Sequence, residues 1–187
     1  MTRIRLGMLT PSSNTSLEPV TMAMLAGLPD VSAHFSRFRV TEIALSQAAL
    51  GQFDDREILR AAELLAHAKV DVIAWNGTSA SWLGFERDEH LVERIKAVTG
   101  IKAATCVLGY RALLRQMPQC RIGLVTPYTS DVQERIHAVW GKQGLPCVAE
   151  RHAGLRENFS FAEVSEEDIE HMIRAVVSEG ADAIAIL

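Results

Sequence analysis

Apolar residues in this chain fall in short runs, separated by longer stretches where they recur every three or four positions. That alternation is expected of βα units around a parallel sheet. Ile4 to Thr10 reads as the first strand and Thr15 to Gly27 as an apolar-faced helix after it. Val31 to Val40 alternates imperfectly, as a strand near a sheet edge would. A helix opens at Asp54 or Asp55, where Asp54 and Glu57 have capping-box spacing, and Ile58, Leu59, Ala62, Leu65 and Ala66 follow at helical intervals. Asp71 to Trp75 is a short buried strand that leads into the loop Asn76-Gly77-Thr78-Ser79. The next helix, from about Glu86 to Val98, stops at Gly100. Ile101 to Thr105, a helix to about Gln116, and Arg121 to Thr126 continue the pattern. Helices near Ser130 to Gln143 and Ser165 to Ser178 flank a strand near Pro146 to Arg151, and Ser165 with Asp168 again has capping-box spacing.

The pattern repeats once. Ile4 to Pro11 resembles Arg121 to Pro127, and Val70 to Ala74 resembles Ala181 to Ala185. Thr10 and Asp71 are 61 positions apart, Thr126 and Asp182 56, so two similar βα halves are expected, 1–115 and 116–187. Gly77 follows Asp71 by six residues; its counterpart in the second half is the first position beyond Leu187. Asp182 to Leu187 reads as a buried strand that stops without a turn, whereas termini usually lie at the surface. The expectation is a chain cut short, with the natural protein longer by roughly a quarter to a third at about 30 residues per βα unit.

Composition narrows the function classes. Nineteen Lys and Arg stand against 23 Asp and Glu, a net charge of −4 that argues against a nucleic-acid partner. Hydrophobic residues make up 48% and charged ones 22%, the balance of a soluble globular domain and not of a disordered chain. No apolar run is long enough to span a membrane, and the start is too briefly apolar for a signal peptide. Cys106, Cys120 and Cys147 form no C-x-x-C pair, giving neither a disulfide framework nor a zinc site. A reduced, cytoplasmic protein is expected. The six histidines show no metal-ligand spacing.

Ligands of open α/β sheets bind beyond the carboxyl ends of the strands. Three loops there carry small polar residues: Thr10 to Thr15, Asn76 to Ser79, and Thr126 to Ser130. Each precedes a helix, so hydroxyls, amides and backbone N–H groups there suit a carboxylate or oxyanion. The plainer reading is that Ser, Thr and Asn before a helix are caps. Cys106 follows a strand at the same sheet end, although a small buried hydrophobe is its commoner role. No dinucleotide, P-loop or G-x-S-x-G pattern is present.

Through Gly7-Met8-Leu9-Thr10-Pro11-Ser12-Ser13-Asn14-Thr15, Gly77-Thr78-Ser79, Thr126-Pro127-Tyr128-Thr129-Ser130-Asp131-Val132 and Glu157-Asn158-Phe159, the chain resembles the aspartate/glutamate racemase superfamily. The branch it resembles is that of maleate cis-trans isomerases and arylmalonate decarboxylases. The resemblance implies an α/β fold of two flavodoxin-like parallel-sheet halves about a pseudo-twofold axis, the second incomplete here. It also implies a small dicarboxylate substrate, no metal and no cofactor, and it leaves a homo-oligomer open.

Racemases and isomerases of this superfamily use two cysteines, one per half, the first standing before Thr-Ser. That position is Gly77 here. Arylmalonate decarboxylases share this departure and work with the second cysteine alone, expected at the first position beyond Leu187. Asn14, Tyr128 and Asn158 match positions that hold a substrate carboxylate in the isomerases. Thr78, Ser79 and Tyr128 match donors around the carboxylate or enediolate in the decarboxylases. Ser12, Ser13, Gly77 and Thr129 complete the expected binding set, and Trp75, Trp82 or Leu83 would supply an apolar wall. The missing first thiol favours a decarboxylase of a malonate-type acid. The alternatives are an isomerase or racemase of a small dicarboxylate, and a non-catalytic carboxylate-binding protein.

Overall fold

The computed structural model describes residues 3–43, 45 and 55–187. Two parallel sheets carry the chain. In the first, β1 (Ile4–Pro11) is central, with β2 (Val31–Phe38) on one side, β3 (Val72–Trp75) on the other and β4 (Lys102–Thr105) beyond β3. In the second, β5 (Ile122–Thr126) lies between β6 (Cys147–His152) and β7 (Ala183–Ile186). The two orders, β2-β1-β3 and β6-β5-β7, are the same arrangement, so the expected α/β architecture of two parallel-sheet halves is the one observed. β2 lies at a sheet edge, as its imperfect alternation suggested.

The helices are α1 (Leu17–Leu25), α2 (Asp55–His67), α3 (Ala80–Leu83), α4 (Phe85–Thr99), α5 (Cys106–Arg115), α6 (Ser130–Lys142) and α7 (Glu166–Ser178). Their origins are visible locally. The Thr105 hydroxyl caps α5 at the Leu108 N–H, and Gly100, at φ 71°, closes α4 in the left-handed region that a Cβ disfavours. Ser165 accepts from the Asp168 N–H at 3.1 Å, as its spacing predicted. The proposed Asp54 cap lies outside the described residues. The helix after β1 departs from expectation: no residue of α1 is buried, and Val20, Met22 and Met24 are exposed.

The internal repeat has a physical counterpart. The backbone N–H of Arg5 donates to the Asp71 carboxylate, and that of Arg121 to the Asp182 carboxylate, each at 2.7 Å. Asp71 and Asp182 return their own N–H to the Arg5 and Arg121 carbonyls at 2.8 and 3.0 Å. Each aspartate thus fixes its strand against the first strand of its half. Close packing repeats too. A Cβ at Gly7 would lie 2.9 Å from Val70 Cγ2, and one at Gly123 2.8 Å from the Ala181 Cβ. These two glycines let a helix and the adjoining strand start approach the sheet.

The halves join through a contiguous core. Phe85 and Tyr110 flank Trp140 with ring centroids at 6.1 and 6.2 Å. Past β2 the chain crosses to the second half, where Ile43 N–H donates to the Arg156 carbonyl at 2.9 Å and Asn158 N–H to the Thr41 carbonyl at 3.1 Å.

Candidate active site

The last residues of four strands, Pro11, Trp75, Thr126 and Ile186, line one cavity of about 210 Å3. Its walls are largely apolar: Val40, Ile43, Trp75, Trp82, Phe161 and Met172 face it. Into this setting project the polar side chains of Asn14, Asn76, Thr78, Ser79, Tyr128 and Asn158. Few polar groups in an apolar recess suit a small ligand with a defined polar end.

β3 ends at Trp75, and residues 76–79 turn the chain into α3. Asn76 donates its amide to the Ala74 carbonyl at 3.1 Å, which ties the loop to its own strand. Ser79 is buried and precedes α3 without capping it, so its hydroxyl is not committed to the helix end. Thr78 Oγ1 shares a hydrogen bond with the Tyr128 hydroxyl.

Tyr128 belongs to the loop after β5 and is buried between Trp82 and Phe161, at centroid distances of 5.2 and 5.5 Å. Burial pushes its phenol well above the ordinary value, with the Thr78 bond only partly opposing that, so it remains a proton-bearing donor at neutral pH. The loop is held from behind. Thr126 Oγ1 donates to Gln133 at 2.7 Å, Gln133 donates to Glu150 at 2.8 Å, and Glu150 pairs with His152 at 2.9 Å.

Asn158 and Asn14 face the cavity from the rim. Asn158 Nδ2 donates to Ser13 Oγ at 2.9 Å, and Ser13 donates to the Val40 carbonyl at 2.6 Å. Asn14 Oδ1 accepts from the N–H groups of Ser16 and Leu17 at 3.0 and 2.8 Å, the capping use. Its Nδ2 has no protein partner among the described residues, leaving a donor for a ligand.

Six of the nine expected positions therefore meet at the cavity: Asn14, Gly77, Thr78, Ser79, Tyr128 and Asn158. Ser12, Ser13 and Thr129 do not line it. Arg37 holds the loop turned by donating to the Ser12 and Asn14 carbonyls, and Ser12 Oγ spends itself on Val40, accepting its N–H at 3.2 Å. Thr129 donates to Asp131 at 2.5 Å, at the start of α6. Trp75 and Trp82 form the expected wall, but Leu83 does not reach it. Val40, Ile43, Phe161 and Met172 were not anticipated. Their apolarity announces burial without saying what they face.

None of the three cysteines lines the cavity. Cys106 donates to the Gly77 carbonyl at 3.0 Å, and burial, reinforced by the nearby Asp88 charge, pushes its thiol up to about 12. It supports the loop as a neutral group. Burial likewise holds the Cys147 thiol at about 12. Among the described residues no group of three or more His, Cys, Asp or Glu is placed to hold a metal ion. No helix among them is long and apolar enough to cross a membrane.

Gly77 is sterically compelled. A Cβ built on it would overlap Cε2, Cζ2 and Cη2 of the Trp75 indole.

The sequence profile of the family described as arylmalonate decarboxylase matches residues 6–187. The chain belongs to the arylmalonate decarboxylase family. Its relatives in and around that family are enzymes. A maleate isomerase of Pseudomonas putida is 26% identical over 97% of this chain and 76% of its own length. A maleate cis-trans isomerase of Nocardia farcinica, captured with a covalently bound succinylcysteine intermediate, superposes with a TM-score of 0.85 at 21% identity, covering 97% of this chain and 76% of that one. A liganded arylmalonate decarboxylase variant, with one glycine changed to cysteine and one cysteine to serine, gives 0.84 at 21% identity over 98% and 77%. The arylmalonate decarboxylase family fold is thus shared across isomerase and lyase alike.

Proposed function

We propose that this chain builds the reaction chamber of a cofactor-independent decarboxylase for a malonate-type dicarboxylate. The observation that carries the reading is Gly77, flanked by the hydroxyls of Thr78, Ser79 and Tyr128 at the position where isomerases of the resembled superfamily hold their first thiol. A glycine cannot add to a double bond, so maleate isomerisation through this half has no nucleophile.

In the proposed reaction one carboxylate accepts a hydrogen bond from Ser79 and one from the hydrogen-bonded pair of Thr78 and Tyr128. The other lies against the apolar wall of Val40, Ile43 and Phe161, where it is poorly solvated. Breaking its bond to the central carbon releases CO2, and the bonding pair moves onto the retained carboxylate as an enediolate. Preorganised donors hold that developing charge, each worth on the order of 10²–10³ in rate. A single proton then returns to the central carbon. Its donor is the second-half cysteine that the resemblance implies, expected at the first position beyond Leu187. Asn14 and Asn158 orient the carboxyl groups from the rim.

Asn14 and Asn158 are also the set expected of an isomerase, and the Pseudomonas putida relative is one, so a maleate assay belongs in the test. Full-length protein incubated with substituted malonates is expected to release CO2 and to leave maleate unchanged. Fumarate from maleate without CO2 from any malonate would reverse the assignment. Tight diacid binding with neither product would make it a binding protein.

A further inference from the structure

We propose that Trp75 is a specificity-determining residue: its indole takes the space of a side chain at position 77, closes the first-half face of the cavity and limits the apolar substituent a substrate carries there. The substituent part rests on the proposed carboxylate-binding function; the packing part does not.

Three observations combine. Trp75 lines the cavity and is 1% exposed, so the indole is wedged at the wall, not lying over it. Its strand register is fixed on both sides, opposite Leu9 of β1 and Thr105 of β4, and both of those residues are buried. Phe38 packs against the ring with centroids 5.0 Å apart. Strand and Phe38 thus back the indole, and the side toward which it can yield is the cavity itself. The overlap at Gly77 involves three ring atoms, beyond what a few tenths of an ångström of relaxation absorbs. Indole at 75 and any Cβ at 77 are mutually exclusive in this packing. It follows that a side chain restored at position 77 must displace the indole, and that shrinking residue 75 opens apolar volume beside the carboxylate donors.

The test uses the full-length protein with Gly77→Ala, Trp75→Leu and the double variant; Trp75→Met replaces Trp75→Leu if that does not fold. Gly77→Ala is expected to lower the thermal midpoint, or to prevent folding, when Trp75 is present and to cost little when it is combined with Trp75→Leu. Equal cost in both backgrounds overturns the packing claim. Calorimetry with naphthylacetate and propionate, monoacids that need no turnover, reads the cavity. Trp75→Leu is expected to shift the affinity ratio at least tenfold toward naphthylacetate, and an unchanged ratio overturns the specificity claim. Absence of CO2 release from every malonate, with the coupling between positions 75 and 77 intact, would instead defeat the proposed reaction alone.

Discussion

Thr78 and Tyr128 share one hydrogen bond across the seam between the two sheets. Two hydroxyls carry two protons, and the bond between them uses one. The other is left for an oxygen in the cavity. The pair is thus a one-proton donor built from both halves, set in an apolar wall that strengthens its interaction with a developing charge.

Tyr128→Phe keeps the ring between Trp82 and Phe161 and removes the hydroxyl. In full-length protein kcat is expected to fall about 10²–10³-fold, with the thermal midpoint nearly unchanged. Steady-state kinetics beside a melting curve check both.

Ser13 acts one step back from the ligand, by holding the Asn158 amide. Ser13→Ala is expected to raise KM about fivefold, the value of one neutral hydrogen bond near 1 kcal/mol, and to leave kcat within a factor of two or so. A fall in kcat with constant KM would place Ser13 in the reaction itself.

Asp88 is 1% exposed, and burial raises its carboxyl to about 6 against the pull of the Thr105 hydrogen bond and the Arg87 charge. The unfolded chain ionises this group near pH 4, so the folded state binds the extra proton between about 4 and 6. Stability from this group is therefore intact below that window and lost as pH rises through it. Asp88→Asn, which still accepts from Thr105, is expected to be more stable than the parent at pH 7.5, by up to about 3 kcal/mol for a shift of this size. Near pH 4 the difference should vanish, which thermal midpoints at the two pH values would show.

Gly123→Ala would force a Cβ to within 2.8 Å of Ala181 and 3.1 Å of Val176. Overpacking of this kind costs about 1–3 kcal/mol, and a chain of this size loses about 2–4 °C of midpoint per kcal/mol. Gly27→Ala, with nothing within 4 Å, is the control expected to stay at the parental midpoint.

What the sequence revealed follows from which forces act locally. The strands and main helices were legible because burial leaves a period in the chain. The likeness of Arg5 and Asp71 to Arg121 and Asp182 was legible too, and it corresponds to the same pair of hydrogen bonds made twice. The four-residue α3 was not, because one helical turn shows no periodicity. Ser12 and Ser13 were read as ligand groups because their motif names them; their turn toward Val40 depends on Arg37 and on a segment distant in sequence. Residues 41–43 pair with 156–158 only once the halves have met, a tertiary event with no local signature.

The seam bond between Thr78 and Tyr128 has a mechanical meaning. A hydrogen bond between oxygens fails beyond little more than 3 Å, and misplacement by about 1 Å can cost a hundredfold in rate. The donor pair therefore works as a caliper set on the spacing of the two sheets. Whatever wedges α3 away from α6, although it touches no atom of the cavity, would be felt first as a loss of grip on the anion.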